Sequence, residues 1–153
     1  MNKFNVISGK ICVTDPCYKR GTWCANFDVP AKNGVWVAKV TKNKEGRIKA
    51  LYAHHEHFGE SKLNEVLPNE VGVDSGQAGI FDSSIYPDGE RDYRDENSFY
   101  KKVCNLTDKS WGIYNNAGVV SRTGYGDGGY EAKCAKHNNE IVSVKITFIR
   151  GNN

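Results

Sequence analysis

The sequence predicts a mainly β fold, a β-rich α+β domain of antiparallel sheets, sandwich- or barrel-like, spanning residues 1–153 with one short helix around residues 95–106. Three observations predict it. Short apolar runs recur between clusters of Gly, Asn, Asp and Pro, the pattern of strands joined by turns. Near the C-terminus Val142, Val144, Ile146 and Phe148 alternate with Ser143, Lys145 and Thr147, the period-two signature of a strand buried on one face. And 153 residues fall within the range of one core that needs neither disulfide nor metal staples.

Taken in order, Val35 to Val40, a polar turn at Lys42 to Gly46 and Arg47 to Ala53 read as one hairpin. Val71 to Asp82 reads as two strand pieces interrupted by small and polar residues, where three glycines permit a turn or a close backbone approach. Asp82 to Asp92 is polar enough for a loop. Asp95 can cap a helix in which Phe99, Val103 and Leu106 recur at i, i+4 and i+7, so that one stripe faces the core. Tyr130 to Lys136, the turn His137-Asn138-Asn139 and the final strand form a closing hairpin.

Composition narrows the classes. No stretch approaches the roughly 20 apolar residues that cross a bilayer, and no secretory signal follows Met1, so neither membrane nor export is expected. Five cysteines form an odd set without a Cys-x-x-Cys pair, which fits reduced thiols in a cytoplasm better than a disulfide framework. The 21 basic and 18 acidic side chains are interspersed, so no stripe supports nucleic acid as a partner. Sites shared between copies of the chain stay compatible with this composition.

Four segments could carry chemistry. Thr14-Asp15-Pro16-Cys17-Tyr18 and Gly21-Thr22-Trp23-Cys24 place a carboxylate, two thiols and two large aromatics around a turn, enough to wall a pocket with Asp15, Tyr18 and Trp23; the competing reading is a turn whose thiols and rings fill core. His54-His55-Glu56-His57 ends a strand with His55 and His57 on one face, where the pair could ligate a metal if a third ligand, which the sequence does not fix, arrived from elsewhere, or where His55 could meet a ligand. Asp74, Ser75 and Gln77 offer an acceptor, a hydroxyl and an amide within one turn, against the alternative of an Asx-turn satisfying its own backbone. Ser121 to Tyr130 is glycine-rich: its amides and Arg122 could hold a phosphate or carboxylate, with Tyr125 or Tyr130 stacking on a ring and Asp127 as a further carboxylate. That loop lacks the Gly-Lys-Ser/Thr ending and strand–loop–helix setting of a nucleotide fingerprint, and no cofactor is expected.

Asp15-Pro16-Cys17-Tyr18, Val73-Asp74-Ser75-Gly76-Gln77-Ala78-Gly79-Ile80-Phe81-Asp82 and Gly124-Tyr125-Gly126-Asp127-Gly128-Gly129-Tyr130 resemble, in the same order, the domain-of-unknown-function family numbered forty-two forty-one. The resemblance implies one domain and a bacterial or phage setting, and it brings no activity with it. By type, a chain of this size resembles a phage accessory protein of the anti-defence kind, a sponge for nucleotide-derived signals.

Three functions follow as expectations. The first is a small-ligand-binding protein sequestering a nucleotide-like molecule, with Arg122 and the glycine-rich loop on phosphate, Asp74 and Gln77 on ribose or base, and Trp23 or Tyr125 stacking. The second is a hydrolase using His55 with Asp74 or Asp127, or Cys17 activated by a histidine. The third is a protein-interaction or inhibitor module working through strand edges or exposed aromatics.

Overall fold

The computed structural model describes residues 2–59, 62–88 and 94–151. Its strands are β1 (Lys3–Val6), β2 (Lys10–Thr14), β3 (Asn26–Pro30), β4 (Gly34–Lys42), β5 (Ile48–His55), β6 (Glu65–Val66), β7 (Val71–Val73), β8 (Gln77–Asp82), β9 (Trp111–Tyr114), β10 (Gly118–Arg122), β11 (Gly128–Tyr130), β12 (Ala132–His137) and β13 (Glu140–Thr147), and the helix α1 is Phe99–Thr107. They form a six-stranded sheet in the order β1-β4-β5-β13-β12-β6, a five-stranded sheet in the order β3-β2-β8-β10-β9, and a ribbon of β7 with β11. Every pairing between these strands is antiparallel. The predicted β-rich fold with one short helix is the fold observed.

Alternation along the five-stranded sheet builds three layers. Ile11 and Val13, Ala78 and Ile80, and Val119 point to the six-stranded sheet, where they join Phe4, Trp36, Leu51 and Val144 in the main core. The intervening Cys12, Phe81 and Val120 point the other way, into a second cluster closed by Tyr86, Tyr100 and Val103. The sheet is thus buried on both faces, sandwiched between the second sheet and α1, and its strands read as near-continuous apolar runs. Glycine makes this possible at two places: a Cβ on Gly79 would lie 2.4 Å, and one on Gly118 2.6 Å, from the Phe81 ring. Each large side chain buried here contributes roughly 1.5–3 kcal/mol.

Both predicted hairpins are present. At the tip of β12–β13, Asn138 and Asn139 have φ of 52° and 64°, the left-handed pair that a tight two-residue turn requires and asparagine tolerates. The β4–β5 turn is held by Asn43, whose side-chain oxygen accepts from the N–H groups of Glu45 and Arg47.

The helix differs from its expectation at the start. Ser98 is the cap, its hydroxyl accepting from the Lys101 N–H at 3.1 Å, and Asp95 makes a turn one step earlier by accepting from the Asn97 N–H. Two good capping residues lie three apart, and the one adjacent to the apolar stripe ends up at the helix boundary. Asp82, expected to open a loop, is instead the last residue of β8 and fully buried, accepting from the hydroxyls of Ser8 and Ser84. Residues 89–93 of that expected loop lie outside the described residues.

Candidate functional site

Three of the four chemistry-bearing segments meet at one end of the sandwich, and Asp15 joins them. Its fully buried carboxylate accepts four hydrogen bonds. Oδ1 takes the Cys17 N–H at 2.8 Å and the Ser75 hydroxyl at 2.6 Å; Oδ2 takes the N–H groups of Asp74 and Ser75 at 2.8 and 2.7 Å. Charge-assisted bonds of this number fill the lone pairs of the group, so Asp15 clamps the loop after β2 onto the β7–β8 turn and presents nothing outward. Gly76, at φ 71°, completes that turn, and its N–H is received by Asp127 Oδ1 at 2.9 Å. Asp127 therefore ties the glycine-rich loop to the same turn.

From Ser75 the network runs into the helix layer. Gln77 is buried; its amide nitrogen donates to Ser75 Oγ at 3.1 Å and its oxygen accepts from Thr107 Oγ1 at 2.8 Å. Arg122 Nε in turn donates to the Thr107 carbonyl at 2.6 Å, and a second guanidinium nitrogen to the Asp108 carbonyl at 3.1 Å. The expected anion-binding arginine is thus turned onto the C-terminal carbonyls of α1, where a cation also suits the helix dipole.

The glycine-rich loop likewise serves itself. The Gly126 N–H donates to the Thr123 carbonyl, while the Gly126 carbonyl accepts from Thr123 Oγ1 and from the Tyr130 hydroxyl. Tyr125 lies away on the β4–β5 turn, its ring 4.6 Å from the Arg47 guanidinium and its hydroxyl donating to Glu45. His55 is 3% exposed with both ring nitrogens engaged. Nδ1 accepts from the His57 N–H at 3.2 Å, so Nε2 carries the proton and donates to the Asn33 carbonyl at 2.9 Å. A Cβ on Gly34 would come within 2.5 Å of that nitrogen, a contact that only glycine leaves open. Among the described residues no group of three or more His, Cys, Asp and Glu is placed to hold a metal ion.

Cys17 does not have the setting of a nucleophile. Burial pushes its thiol up, and the neighbouring Asp15 carboxylate pushes it further, so the neutral form is favoured.

What remains open is a cleft of about 330 Å³ between the loop after β2 and the β7–β11 ribbon, lined by Tyr18, Trp23, Cys24, Glu70 and Asp74. Its walls are stitched together. Asn26 and Asn69 exchange side-chain and backbone bonds at 2.8 and 3.0 Å, Asn69 also donates to the Ala25 carbonyl, and the Gly72 N–H donates to the Cys24 carbonyl. The floor is a directly opposed glycine pair, Gly72 and Gly129. A Cβ on Gly129 would lie 1.9 Å from Glu70 Oε1, and one on Gly72 2.6 Å from Cys24 Sγ, so glycine lets both side chains settle onto the ribbon.

Trp23 stands over this cleft with 85% of its surface exposed, the largest exposure of any large apolar side chain described. Burial raises the Tyr18 phenol, followed by its contact with the Cys24 thiol, so it stays protonated and able to donate. Glu70 and Asp74 carry the charge of the site, and neither is ion-paired among the described residues. Of the ten residues selected from sequence, Tyr18, Trp23 and Asp74 line the cleft; Asp15, Ser75, Gln77 and Asp127 build the scaffold beside it; His55, Arg122 and Tyr125 are engaged elsewhere. Glu70 was not among them: it sits in a polar stretch before a three-residue strand, with no local pattern to mark it.

Comparison with family models, with curated proteins and with solved structures finds no match for the chain.

Proposed function

We propose that this chain is a small-ligand-binding protein that takes a nucleotide-derived molecule by its base, in the cleft beneath Trp23. One observation carries the reading: a broadly exposed indole stands beside two carboxylates that have no ion-pair partner among the described residues, over a floor of two opposed glycines. A nucleobase supplies what such a site lacks. Its flat face stacks on Trp23, and its ring and amino N–H groups donate to Glu70 and Asp74.

The same carboxylates repel phosphate, so the phosphate end of the ligand points away from Glu70 and Asp74. The stitched walls limit the ordering cost of binding. Holding is favoured over turnover because the thiol beside the cleft, Cys17, is kept neutral. Sequestration of a nucleotide-derived signal, the role expected by analogy with phage accessory proteins of this size, is one use of such a site.

Two measurements test this. Nucleosides and their nucleotides titrated against the emission of Trp23 are expected to quench it saturably, and Glu70→Gln combined with Asp74→Asn is expected to weaken binding at least tenfold with an unchanged melting curve. Mass spectrometry of the heat-released ligand is expected to return it intact. Absence of saturable quenching by every nucleoside abandons the reading, and a cleaved product replaces it with hydrolysis.

A further inference from the structure

Cations that look scattered in the sequence are gathered around one basin on the six-stranded sheet. Thr41 lies opposite Ala50, and Ala50 opposite Thr147, so three small side chains occupy one level across β4, β5 and β13. They floor a basin of about 770 Å³. Lys42, Lys49, Lys133, Lys145 and Arg150 stand around it, with Glu131 as the one carboxylate in the lining among the described residues.

Lys133 and Lys145 are a directly opposed cross-strand pair. Strands are about 4.8 Å apart, and like charges facing each other at that spacing are destabilising unless an anion lies between them. Little among the described residues offsets them. Lys133 reaches Glu131 only at 3.9 Å, and Lys49 is used by the Gly151 carbonyl at 2.7 Å. Lys42, Lys145 and Arg150 have no ion-pair partner among the described residues.

We infer that this basin is a second binding site, for a small polyphosphate-bearing anion. The volume is that of a small-molecule site rather than of an extended track. The floor of Thr, Ala and Thr leaves depth for phosphoryl groups and offers hydroxyls to their oxygens, while the ammonium groups and the Arg150 guanidinium neutralise several charges at once. The site lies on the opposite sheet from helix α1 and shares no lining residue with the cleft beneath Trp23, so it stands or falls separately from the base-binding reading.

The test is calorimetric titration of the full chain with inorganic tripolyphosphate at about 0.1 M salt, where screening already removes weak surface attraction. Saturable binding is expected, weakened at least tenfold by Lys133→Glu with Lys145→Glu. The same charge change placed on Lys102 of the helix and Lys109 just past its end, Lys102→Glu with Lys109→Glu, is expected to leave it within about twofold, and so is Glu70→Gln with Asp74→Asn; circular dichroism melts confirm that each variant is folded. No saturable binding, or an equal loss from the helix variant, overturns the proposal. Tighter binding of a single-stranded oligonucleotide than of tripolyphosphate also overturns it and assigns the face to an extended polyanion.

Discussion

The Asp15 clamp and the cleft beneath Trp23 are neighbours built from the same loop, yet they stand in opposite physical states. In the clamp a fully buried carboxylate has four donors. In the cleft two exposed carboxylates have no cationic partner among the described residues, and an indole is left exposed over most of its surface. A buried polar group must be satisfied within the chain, and once it is, it has nothing left for a ligand. The residue types that look most like chemistry in the sequence, an aspartate beside a cysteine and a serine beside a glutamine, therefore turn out to be the frame that holds a plainer set of side chains open.

The largest effect that would break this contrast is on the clamp. Asp15→Ala removes the acceptor of three backbone N–H groups and one hydroxyl at a buried position. At about 1–3 kcal/mol for each donor left unsatisfied, and with water entering to relieve part of it, a loss of about 3–5 kcal/mol is expected. For a chain of this size that lowers the thermal midpoint by roughly 10 °C. Asp15→Asn, which can keep its oxygen on the Asp74 and Ser75 N–H groups but then turns its amide toward the Cys17 N–H, is expected to fall between the parent and Asp15→Ala. A midpoint for Asp15→Ala within a degree of the parent would mean that the clamp is not structural and would return Asp15 to the list of ligand contacts.

How much of this was legible beforehand differs by level. The layers follow from alternation: Val142 to Phe148 announces its strand, and the paired turn asparagines announce its hairpin. The helix stripe of Phe99, Val103 and Leu106 is visible at its spacing, while its start is not, because Asp95 and Ser98 are equally good caps by type. The convergence of residues 15, 75 and 127 was foreshadowed by their chemistry, but their roles depended on which partners fill which lone pairs. The lysine basin was invisible for a simpler reason: residues 42, 49, 133 and 145 lie on four different strands and Arg150 just beyond the last of them, so only the folded sheet brings them together. Interspersed charge along the chain says little about charge across a sheet.

A smaller effect sharpens the contrast through pH. Burial, and then Asp15, raise the Cys17 thiol above its ordinary value of about 9. The folded state therefore keeps a proton that the unfolded chain releases above that pH, so the stabilising contribution is complete below about pH 9 and is lost as the pH rises further. The thermal midpoint of the parent is expected to fall more steeply between about pH 9 and pH 11 than that of Cys17→Ala. Equal slopes would show that the thiol is not held in the environment the clamp creates, and would reopen its candidacy as a reactive group.

The smallest effect on stability is expected at the floor of the cleft, and it is the most discriminating. Gly129 lies on β11 outside the positive-φ residues, so alanine is conformationally acceptable there and reduces the entropy of the unfolded chain by about 0.4–1 kcal/mol. The added methyl, however, occupies the space of Glu70 Oε1, which is the end of a flexible exposed side chain and can swing aside. Stability of Gly129→Ala is then expected to stay within about 1 kcal/mol of the parent, because the displaced carboxylate bonds to none of the described residues. Nucleoside binding read from Trp23 emission is expected to drop as far as in Glu70→Gln. If Gly129→Ala instead melts early while binding survives, Glu70 belongs to the frame and not to the site, and the line between the two regions has to be redrawn around Trp23 and Asp74 alone.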